Sequence, residues 1–361
     1  MPLFDLAPKD SMKTLFGRQR ELAELVRLVR AGRWVVVLGP RMVGKTSLLK
    51  AANQQFDRPA VYVNLWGARG TLGFVNAFVH GLNSNRSLLP RLRAALRRVE
   101  GISLGPGGIS VTAPHRPLRT VWDLLDAIGH EWEHSVIEFD EIQEVAPASG
   151  SILRMLGNVF NTHRDVVFVF TGSRFGVNRA LLDPPGDSPL FGRPPATVQL
   201  GPFDRATSIA FLERGVREYG LKVPTERLAS IVDRTLDGIP GWLSLFGTHL
   251  TVDRLGLEAA AAATVREARN VVRSELAHFL EGRETGTYWP TLRLLAGGAS
   301  WTELREGLSA RRGSPVNDNT IRNLLRTLGY ANLVTELDGR YQIPDPMVRE
   351  YILGARRAPR A

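Results

Sequence analysis

Short hydrophobic runs alternate with helical patterns over the first two-thirds of the chain. The runs at residues 34–39, 61–66, 135–140 and 166–172 are rich in β-branched and aromatic residues, and they predict strands buried on both faces. Between these runs, apolar residues recur at helical spacing. Such alternation predicts an α/β fold, in which a parallel sheet carries helices on both faces.

The pattern changes after Pro202, where the strands disappear. Four amphipathic segments follow, and they predict helices at about 206–219, 226–236, 242–254 and 257–281.

The last part of the chain begins near residue 287. It predicts three short helices, followed by two extended runs around the dipeptide Asp338-Gly339, which is a strong hairpin signal. Three helices followed by a hairpin predict a winged helix-turn-helix.

The composition limits the classes of function. The formal net charge is +10, from 46 lysines and arginines against 36 carboxylates, and arginine dominates. This balance permits binding to nucleic acid, but arginine is also favoured in thermophiles and GC-rich genomes, so both explanations stay open.

The absence of cysteine excludes disulfides and thiolate chemistry. No apolar stretch approaches the roughly 20 residues of a membrane span, and no signal peptide is visible, so we expect a cytoplasmic protein without a membrane partner.

The segment GPRMVGKT at residues 39–46 matches the phosphate-binding pattern G-x-x-x-x-G-K-[ST], between a predicted strand and a predicted helix. Its glycines let backbone N–H groups surround phosphates, and the helix N-terminus adds a positive dipole end. Lys45 is expected to reach the β- and γ-phosphates, and Thr46 to bind Mg²⁺. No guanine-reading Asn-Lys-x-Asp motif is present, so the predicted ligand is ATP or ADP. The predicted nucleotide-binding residues are Gly39, Pro40, Arg41, Met42, Val43, Gly44, Lys45, Thr46 and Ser47.

Two adjacent carboxylates, Asp140 and Glu141, end the predicted strand at 135–140. P-loop enzymes need one carboxylate for the metal and another group for the attacking water. We therefore assign Asp140 to the magnesium site and Glu141 to the polarisation of water. Glu138 points to the same side of this buried strand as Asp140. An unpaired carboxylate is costly in such a place, so an arginine or water partner is expected.

We divide the chain into three parts. An α/β nucleotide-binding base is expected at residues 1–202, with an irregular basic insertion at about 86–119. A helical lid is expected at 203–286 and a winged-helix domain at 287–361. ATP is expected to bind between base and lid, so that nucleotide controls the arrangement of the domains.

The ordered motifs resemble the archaeal ATPase family in the STAND branch of AAA+ P-loop proteins, over about residues 4–352. The resemblance is carried by LFDLAPKD with LFGRQREL, by GPRMVGKT, the Asp-Glu pair, FTGSR, PLFGRPPATVQLGPF, the turn GIPGW and the terminal winged helix.

This resemblance implies further site residues. Ser173 would orient the attacking water, and Arg193 would contact the γ-phosphate through its planar guanidinium, with a surface ion pair as the alternative. Pro240 would lie in the turn that brings the lid against the base. No lid arginine of the ordinary AAA+ kind is evident, which implies slow hydrolysis. The residues that would border the adenine and ribose are Phe16, Gly17 and Arg18.

Residues 130–134, His-Glu-Trp-Glu-His, match H-E-x-x-H, a zinc-protease pattern that needs a continuous helix to bring both histidines to one face. The motif lies where a predicted helix ends, and no third ligand is evident downstream. A zinc site and a set of polar residues at an exposed helix end both stay open. The second is favoured, and we predict that metal analysis of the purified protein finds no stoichiometric zinc.

The third helix of the predicted winged helix, at 317–328, turns polar side chains outward, and these are types that contact phosphates and base edges. Winged helices also bind proteins, so two functions stay open. One is an ATP-dependent factor that binds double-stranded DNA. The other is an ATP/ADP switch whose winged helix contacts the lid, a protein partner or another copy. A solvent-open outer face would favour DNA. The nucleic-acid candidates are Asn319, Arg322, Asn323 and Arg326.

Overall fold

The structure, a computed structural model, forms two compact units. The sheet unit contains residues 8–38 and 45–199, and the helical unit contains residues 1–7, 39–44 and 200–361. The predicted three-part boundaries at residues 202 and 286 stay a prediction. The residues that the structure describes are 2–85, 89–97, 99–106, 108–112, 116–132, 134–145, 148–172, 186 and 194–359.

A five-stranded parallel sheet forms the centre of the sheet unit, in the order β2-β5-β6-β1-β7. Its central strands are fully buried, as their continuous hydrophobic runs predict. The predicted α/β fold, a parallel sheet covered by helices, is confirmed. The strands of the sheet are β1 (Val35–Leu38), β2 (Ala60–Asn64), β5 (Val136–Asp140), β6 (Val167–Thr171) and β7 (Ala196–Gln199).

Helices cover this sheet, and aromatic side chains fill the space between the layers. Phe139 packs on Phe168 and Phe170, with ring centroids 5.8 and 5.9 Å apart. Trp34 donates its indole N–H to the Val166 carbonyl at 3.3 Å. The helices of this unit are α1 (Gln19–Arg30), α2 (Lys45–Asn53), α3 (Gly70–Ser84), α4 (Leu89–Leu96), α5 (Pro117–Glu131) and α6 (Ser149–Thr162).

The predicted insertion at 86–119 is more regular than its sequence indicates. Besides α4 it contains an antiparallel hairpin of β3 (Ile102–Gly105) and β4 (Gly108–Val111). Asn83 fixes this hairpin to α3, because its side-chain amide exchanges two hydrogen bonds with the backbone of Ile109, at 2.7 and 2.8 Å. Gly105 and Gly108, which pair with each other, flank the turn of the hairpin.

The helical unit contains the four helical segments predicted after Pro202 and the predicted hairpin. A three-stranded antiparallel sheet has the order β8-β10-β9. One helix, α14, was not predicted. The strands are β8 (Ala299–Ser300), β9 (Thr335–Leu337) and β10 (Arg340–Gln342). The helices are α7 (Arg205–Glu218), α8 (Thr225–Ile231), α9 (Pro240–Thr251), α10 (Leu257–Leu280), α11 (Thr285–Ala296), α12 (Trp301–Arg312), α13 (Asp318–Tyr330) and α14 (Pro346–Gly354), and a π-helical turn at Val232–Leu236 follows α8.

Side-chain caps set the starts of several of these helices. The Asn317 side chain accepts a hydrogen bond from the backbone N–H of Thr320 at 2.8 Å and begins α13. Ser300 and Glu303 form a reciprocal capping box that begins α12. No helix among the residues described is long and apolar enough to cross a membrane.

Phe4 joins the beginning of the chain to the helical unit. Its ring, 1% exposed, lies against Gly215 of α7 and Gly247 of α9, where an added Cβ would come within 2.1 and 2.3 Å of the ring. Thr248 donates its hydroxyl hydrogen to the Phe4 carbonyl at 2.8 Å. The two glycines therefore create the space that this aromatic ring occupies.

Candidate functional site

The loop at residues 39–44 connects β1 to α2 through unusual backbone angles. Gly39, Met42 and Gly44 have φ values of 152°, 60° and 98°. Glycine adopts such angles readily, whereas Met42 holds a left-handed conformation that is uncommon for its residue type. Gly39 is also confined by space, because a Cβ there would lie 2.4 Å from the Leu200 carbonyl oxygen. These angles fit the predicted role of the loop, in which backbone N–H groups face phosphate oxygens.

Within the helical unit, this loop packs against the GIPGW turn. The backbone N–H of Gly241 donates to the Met42 carbonyl at 2.9 Å, and an added Cβ at Gly241 would meet the Met42 Cβ at 2.5 Å. Arg41 forms an ion pair with Glu275 of α10 at 2.8 Å. Pro240 occupies the first turn of α9, a position suited to its fixed φ. The turn that contains Pro240 is thus in direct contact with the loop.

Lys45 and Thr46 begin α2 in the sheet unit. The Lys45 side chain is only 6% exposed. The Thr46 hydroxyl donates to Asp140 Oδ2 at 2.8 Å, which brings together the two residues predicted to bind Mg²⁺. Ser47 accepts a hydrogen bond from the Lys9 backbone N–H at 3.0 Å through its hydroxyl oxygen.

Asp140 is the centre of a buried hydrogen-bond cluster. The Tyr62 hydroxyl donates to its Oδ2 at 2.7 Å, and the Thr171 hydroxyl donates to its Oδ1 at 2.5 Å. Parallel pairing explains this, since β2, β5 and β6 are neighbours whose carboxyl ends lie at one edge of the sheet. Burial and the charge of Asp140 together raise the pKa of Tyr62, so it stays a neutral donor. Tyr62 and Thr171 are not among the site residues that the sequence predicts, although both lie near the ends of predicted strands.

Glu141 follows Asp140 in a left-handed conformation, with φ of 60°. Its backbone N–H donates to the Thr171 hydroxyl oxygen at 2.9 Å. Thr171 therefore contacts both members of the carboxylate pair, and Asp140 is 2% exposed while Glu141 is half-buried. The two adjacent carboxylates therefore lie in different environments. This difference fits the two roles predicted for them, metal binding by Asp140 and polarisation of water by Glu141.

Glu138 has a different partner from the expected one. It is fully buried, and Asn53 of α2 donates its side-chain amide to Oε2 at 2.6 Å. Within the described part of the chain, Oε1 has no hydrogen-bond partner. Burial, together with the nearby charge of Asp140, raises the pKa of Glu138 to about 8, while the Asn53 hydrogen bond opposes the shift. The partner found is thus an amide donor on the neighbouring helix rather than the expected arginine, and the alternative of a water partner stays a prediction.

Of the site residues that the family resemblance implies, the structure describes some and not others. Gly17 has a φ of 66°, and Arg18 is buried and pairs with Glu21 at 3.0 Å. Burial lowers the pKa of Arg18. The predictions for Ser173 and Arg193 fall outside the described residues. The assignments of Phe16, Gly17 and Arg18 to the adenine and ribose stay predictions.

The two histidines of the H-E-x-x-H motif lie in different elements. His130 lies in the last turn of α5, where its Nε2 is 3.7 Å from Asp126 Oδ1. His134 lies in the following turn with φ of 55°, and its Nδ1 is 3.1 Å from Asp165 Oδ1. The helix thus ends between the two histidines.

The outer face of α13 carries the predicted nucleic-acid residues. Asn319, Arg322, Asn323 and Arg326 are all exposed. Arg322 Nη1 donates to Asn319 Oδ1 at 2.8 Å, and Arg326 Nη2 donates to Asn323 Oδ1 at 2.9 Å. The inner face is apolar, with Ile321, Leu324 and Leu328 buried, so this amphipathic helix presents its polar face to solvent.

The fold and this set of residues define a P-loop ATPase of the AAA+ type. The chain belongs to a family of ATPase domains found predominantly in Archaea, whose model matches residues 15–246. This confirms the predicted archaeal ATPase family. Membership of the STAND branch stays a prediction.

Solved structures share the fold over nearly the whole chain. A Walker-type ATPase of Pyrococcus abyssi is 26% identical, with a TM-score of 0.75 over 97% of this chain and 99% of that protein. The ORC2 protein of Aeropyrum pernix, solved in ADPNP-ADP complexes, is 14% identical, with a TM-score of 0.62 and coverage of 97% and 95%. At that identity the likeness concerns the fold alone. A search of curated proteins found no match.

Proposed function

We propose that the chain is an ATPase that binds double-stranded DNA through α13 in a nucleotide-dependent manner. The observation that carries the DNA part is the exposed face of α13, with two arginines and two asparagines directed outward. Such residues contact phosphates and base edges in helix-turn-helix proteins.

The nucleotide part of the proposal assigns a role to each residue around Asp140. The loop at residues 39–44 offers backbone N–H groups to phosphates, and Lys45 neutralises phosphate charge. The hydroxyl of Thr46 and the carboxylate of Asp140 fit Mg²⁺, which prefers hard oxygen ligands. When bound, the ion would neutralise charge on the phosphates. Glu141 polarises the attacking water, and Tyr62 and Thr171 hold Asp140 in position.

Two features of α13 suit it to nucleic acid. The guanidinium groups of Arg322 and Arg326 bond to the neutral side chains of Asn319 and Asn323, so these contacts leave both positive charges unneutralised. The bonds to Asn319 and Asn323 orient the guanidinium groups before binding, which lowers the entropy lost on contact. The hairpin beyond α13 carries Glu336, Asp338 and Arg340, whereas Arg322 and Arg326 place two positive charges on the outer face of the helix.

A second candidate function is an ATP/ADP switch of the STAND type whose winged helix contacts protein. The attachment of α14 favours it. Arg269 of α10 pairs with Glu350 at 2.5 Å, and Arg349 pairs with Asp237. These ion pairs join α14 to α10 and to the turn at Asp237. In a switch, such contacts would transmit the change between bound ATP and bound ADP to the terminal helices. In this function, α13 would have no affinity for DNA.

A DNA titration separates the two functions. Fluorescence anisotropy with labelled duplex DNA would be measured with ATP, with ADP and without nucleotide, each at two salt concentrations. We expect binding that depends on nucleotide and that is lost when Arg322 and Arg326 are both replaced by glutamate. The matched control reverses Arg217 and Arg227, two exposed arginines on α7 and in the first turn of α8, and applies the same change in net charge.

The outcomes are distinct. Loss of binding in the first double variant and retention in the control would support a groove-binding role for α13. Equal weakening in both would instead indicate a diffuse basic surface. No binding by the parent protein at physiological salt would overturn the DNA proposal and leave the switch.

A further inference from the structure

Three side chains that take no part in the proposed ATPase site converge at the end of α5. Asp126 and His130 lie four residues apart on that helix, on the same face. His163, the residue that ends α6, approaches them from the neighbouring helix. Their potential ligand atoms all lie within 4.8 Å of one another. The cluster therefore combines two imidazoles with one carboxylate from two separate elements.

Both imidazoles approach the same carboxylate oxygen. His163 Nε2 lies 2.8 Å from Asp126 Oδ1, and His130 Nε2 lies 3.7 Å from it. In a tetrahedral zinc site with bonds of about 2.0–2.1 Å, neighbouring ligand atoms are separated by roughly 3.3 Å. The two measured distances lie on either side of this value, so small side-chain rotations would place all three atoms around one ion.

The surrounding chain fixes the position of His163 by burial and close packing. Its side chain is almost fully buried, and its backbone N–H donates to the Val159 carbonyl at 2.7 Å. The ring lies against the backbone of Gly129, where an added Cβ would come within 2.5 Å of the imidazole. Because Gly129 has no side chain, the His163 ring has room beside Asp126 and His130. The His130 ring stands edge-on to that of His163, with centroids 4.9 Å apart.

Charge also favours a cation at this position. His130 lies in the last turn of α5, and His163 caps the C-terminus of α6. Helix C-termini carry a partial negative charge, so two of them stabilise a nearby positive ion. The Asp126 carboxylate adds a full negative charge. His130 and Asp126 keep part of their surface exposed, which leaves a path for the ion and for a water ligand.

We propose that Asp126, His130 and His163 form a binding site for Zn²⁺, with solvent in the remaining coordination position. Two imidazoles and a carboxylate are a donor set that this ion accepts, whereas Mg²⁺ prefers oxygen ligands alone. The site links the ends of α5 and α6, the helices that precede the Asp140 and Thr171 strands. It shares His130 with the H-E-x-x-H motif but not His134, and it replaces the expectation from the sequence that the protein holds no stoichiometric zinc.

Isothermal titration of the tag-free, chelator-treated chain with zinc chloride tests this site. The protein would be free of nucleotide and kept in excess magnesium chloride, so that oxygen sites for Mg²⁺ do not take up zinc. We expect one zinc ion per chain, and a rise in melting temperature when zinc is added. Co²⁺ in place of zinc should give the visible absorption of a low-coordinate, imidazole-bound ion.

Variants identify the ligands. His130→Ala and Asp126→Asn alter partly exposed side chains, and each should weaken zinc binding by at least about tenfold and abolish the zinc-dependent thermal shift. His163→Ala should do the same, with circular dichroism as the check on folding. His134→Ala is the matched control, since it removes the other histidine of the sequence motif, and it should bind zinc like the parent.

Two results would overturn the proposal. One is the absence of stoichiometric zinc binding by the parent chain. The other is loss of binding in His134→Ala with retention in Asp126→Asn, which would assign the ion to the H-E-x-x-H pair instead.

Discussion

Trp242 donates its indole N–H to the buried carboxylate of Asp345, at 3.1 Å to Oδ1 and 3.3 Å to Oδ2. Trp242 belongs to the GIPGW turn and α9, while Asp345 caps α14 by accepting from the Met347 backbone N–H at 2.8 Å. One carboxyl group thus joins the turn that contacts the phosphate-binding loop to the last helix. Burial raises the pKa of Asp345 to about 6, against the effect of these hydrogen bonds.

This pKa predicts a stability change at acidic pH. Between the ordinary pKa of 3.8 and the folded value of about 6, the folded chain binds more protons than the unfolded chain, so stability falls as pH rises through this window. Asp345→Asn should remove that fall and gain on the order of 2–3 kcal/mol relative to the parent between pH 4 and pH 7. Unfolding curves in denaturant, recorded across this pH range, measure the difference in unfolding free energy between the variant and the parent. Asp338→Asn, at the exposed hairpin turn, is the control, and an unchanged Asp345→Asn profile would contradict the prediction.

Lys45→Ala should weaken ATP binding about 10- to 100-fold, because a charge-assisted contact with phosphate contributes about 1.5–3 kcal/mol. Calorimetry with ATP and Mg²⁺ measures the affinity. Lys13→Ala, which removes an exposed lysine, should bind like the parent. Unchanged affinity in Lys45→Ala would remove the lysine from the nucleotide site.

Glu141→Gln should keep ATP affinity and lose hydrolysis by at least about 100-fold, since an amide preserves shape but is a poor base. Phosphate release and ATP binding would be measured on the same preparation. Glu144→Gln, in the following 3-10 turn at Ile142–Val145, is the control. Equal turnover in Glu141→Gln and parent would exclude the assigned role.

Gly39→Ala should destabilise the protein by about 1–3 kcal/mol, because its φ of 152° disfavours a side chain and its Cβ would meet the Leu200 carbonyl. Nucleotide affinity should fall as well. Gly286→Ala, on a helix with open space at its Cβ, should be neutral or stabilising by up to about 1 kcal/mol. Thermal melts of both variants check the contrast, and equal stability would argue against a strained loop.

For the DNA proposal, we consider replacement of both Arg322 and Arg326 by alanine. The slope of log affinity against log salt should become less negative by roughly 2, since each phosphate contact contributes about −0.9 to that slope. ATP affinity and melting temperature should stay near those of the parent, because both side chains are exposed. A slope that does not change would show that these arginines make no phosphate contact.

The sequence predicts β1, β2, β5 and β6 because these strands are largely buried, and a buried parallel strand is a continuous apolar run. The partly exposed strand β7 gives no such run. Thr46 and Asp140 were assigned together from motifs, and their hydroxyl and carboxylate meet in the structure. Tyr62 and Thr171 were missed because their contact with Asp140 depends on strand order, which is a long-range property. The sequence Asp345-Pro346 did contain a helix-start signal for α14, since an N-cap followed by proline is favoured there.

The packing of Phe4 has a consequence for how the protein is made. The Phe4 carbonyl and the Thr248 hydroxyl that donates to it are 244 residues apart, so this bond forms only after Thr248 has left the ribosome. All residues of the sheet unit lie before residue 200, so they leave the ribosome earlier. During translation the Phe4 ring therefore stays without its glycine-lined site, and the helical unit completes its core last. Contacts between residues so far apart in the chain slow folding, so we expect this part of the helical unit to form slowly.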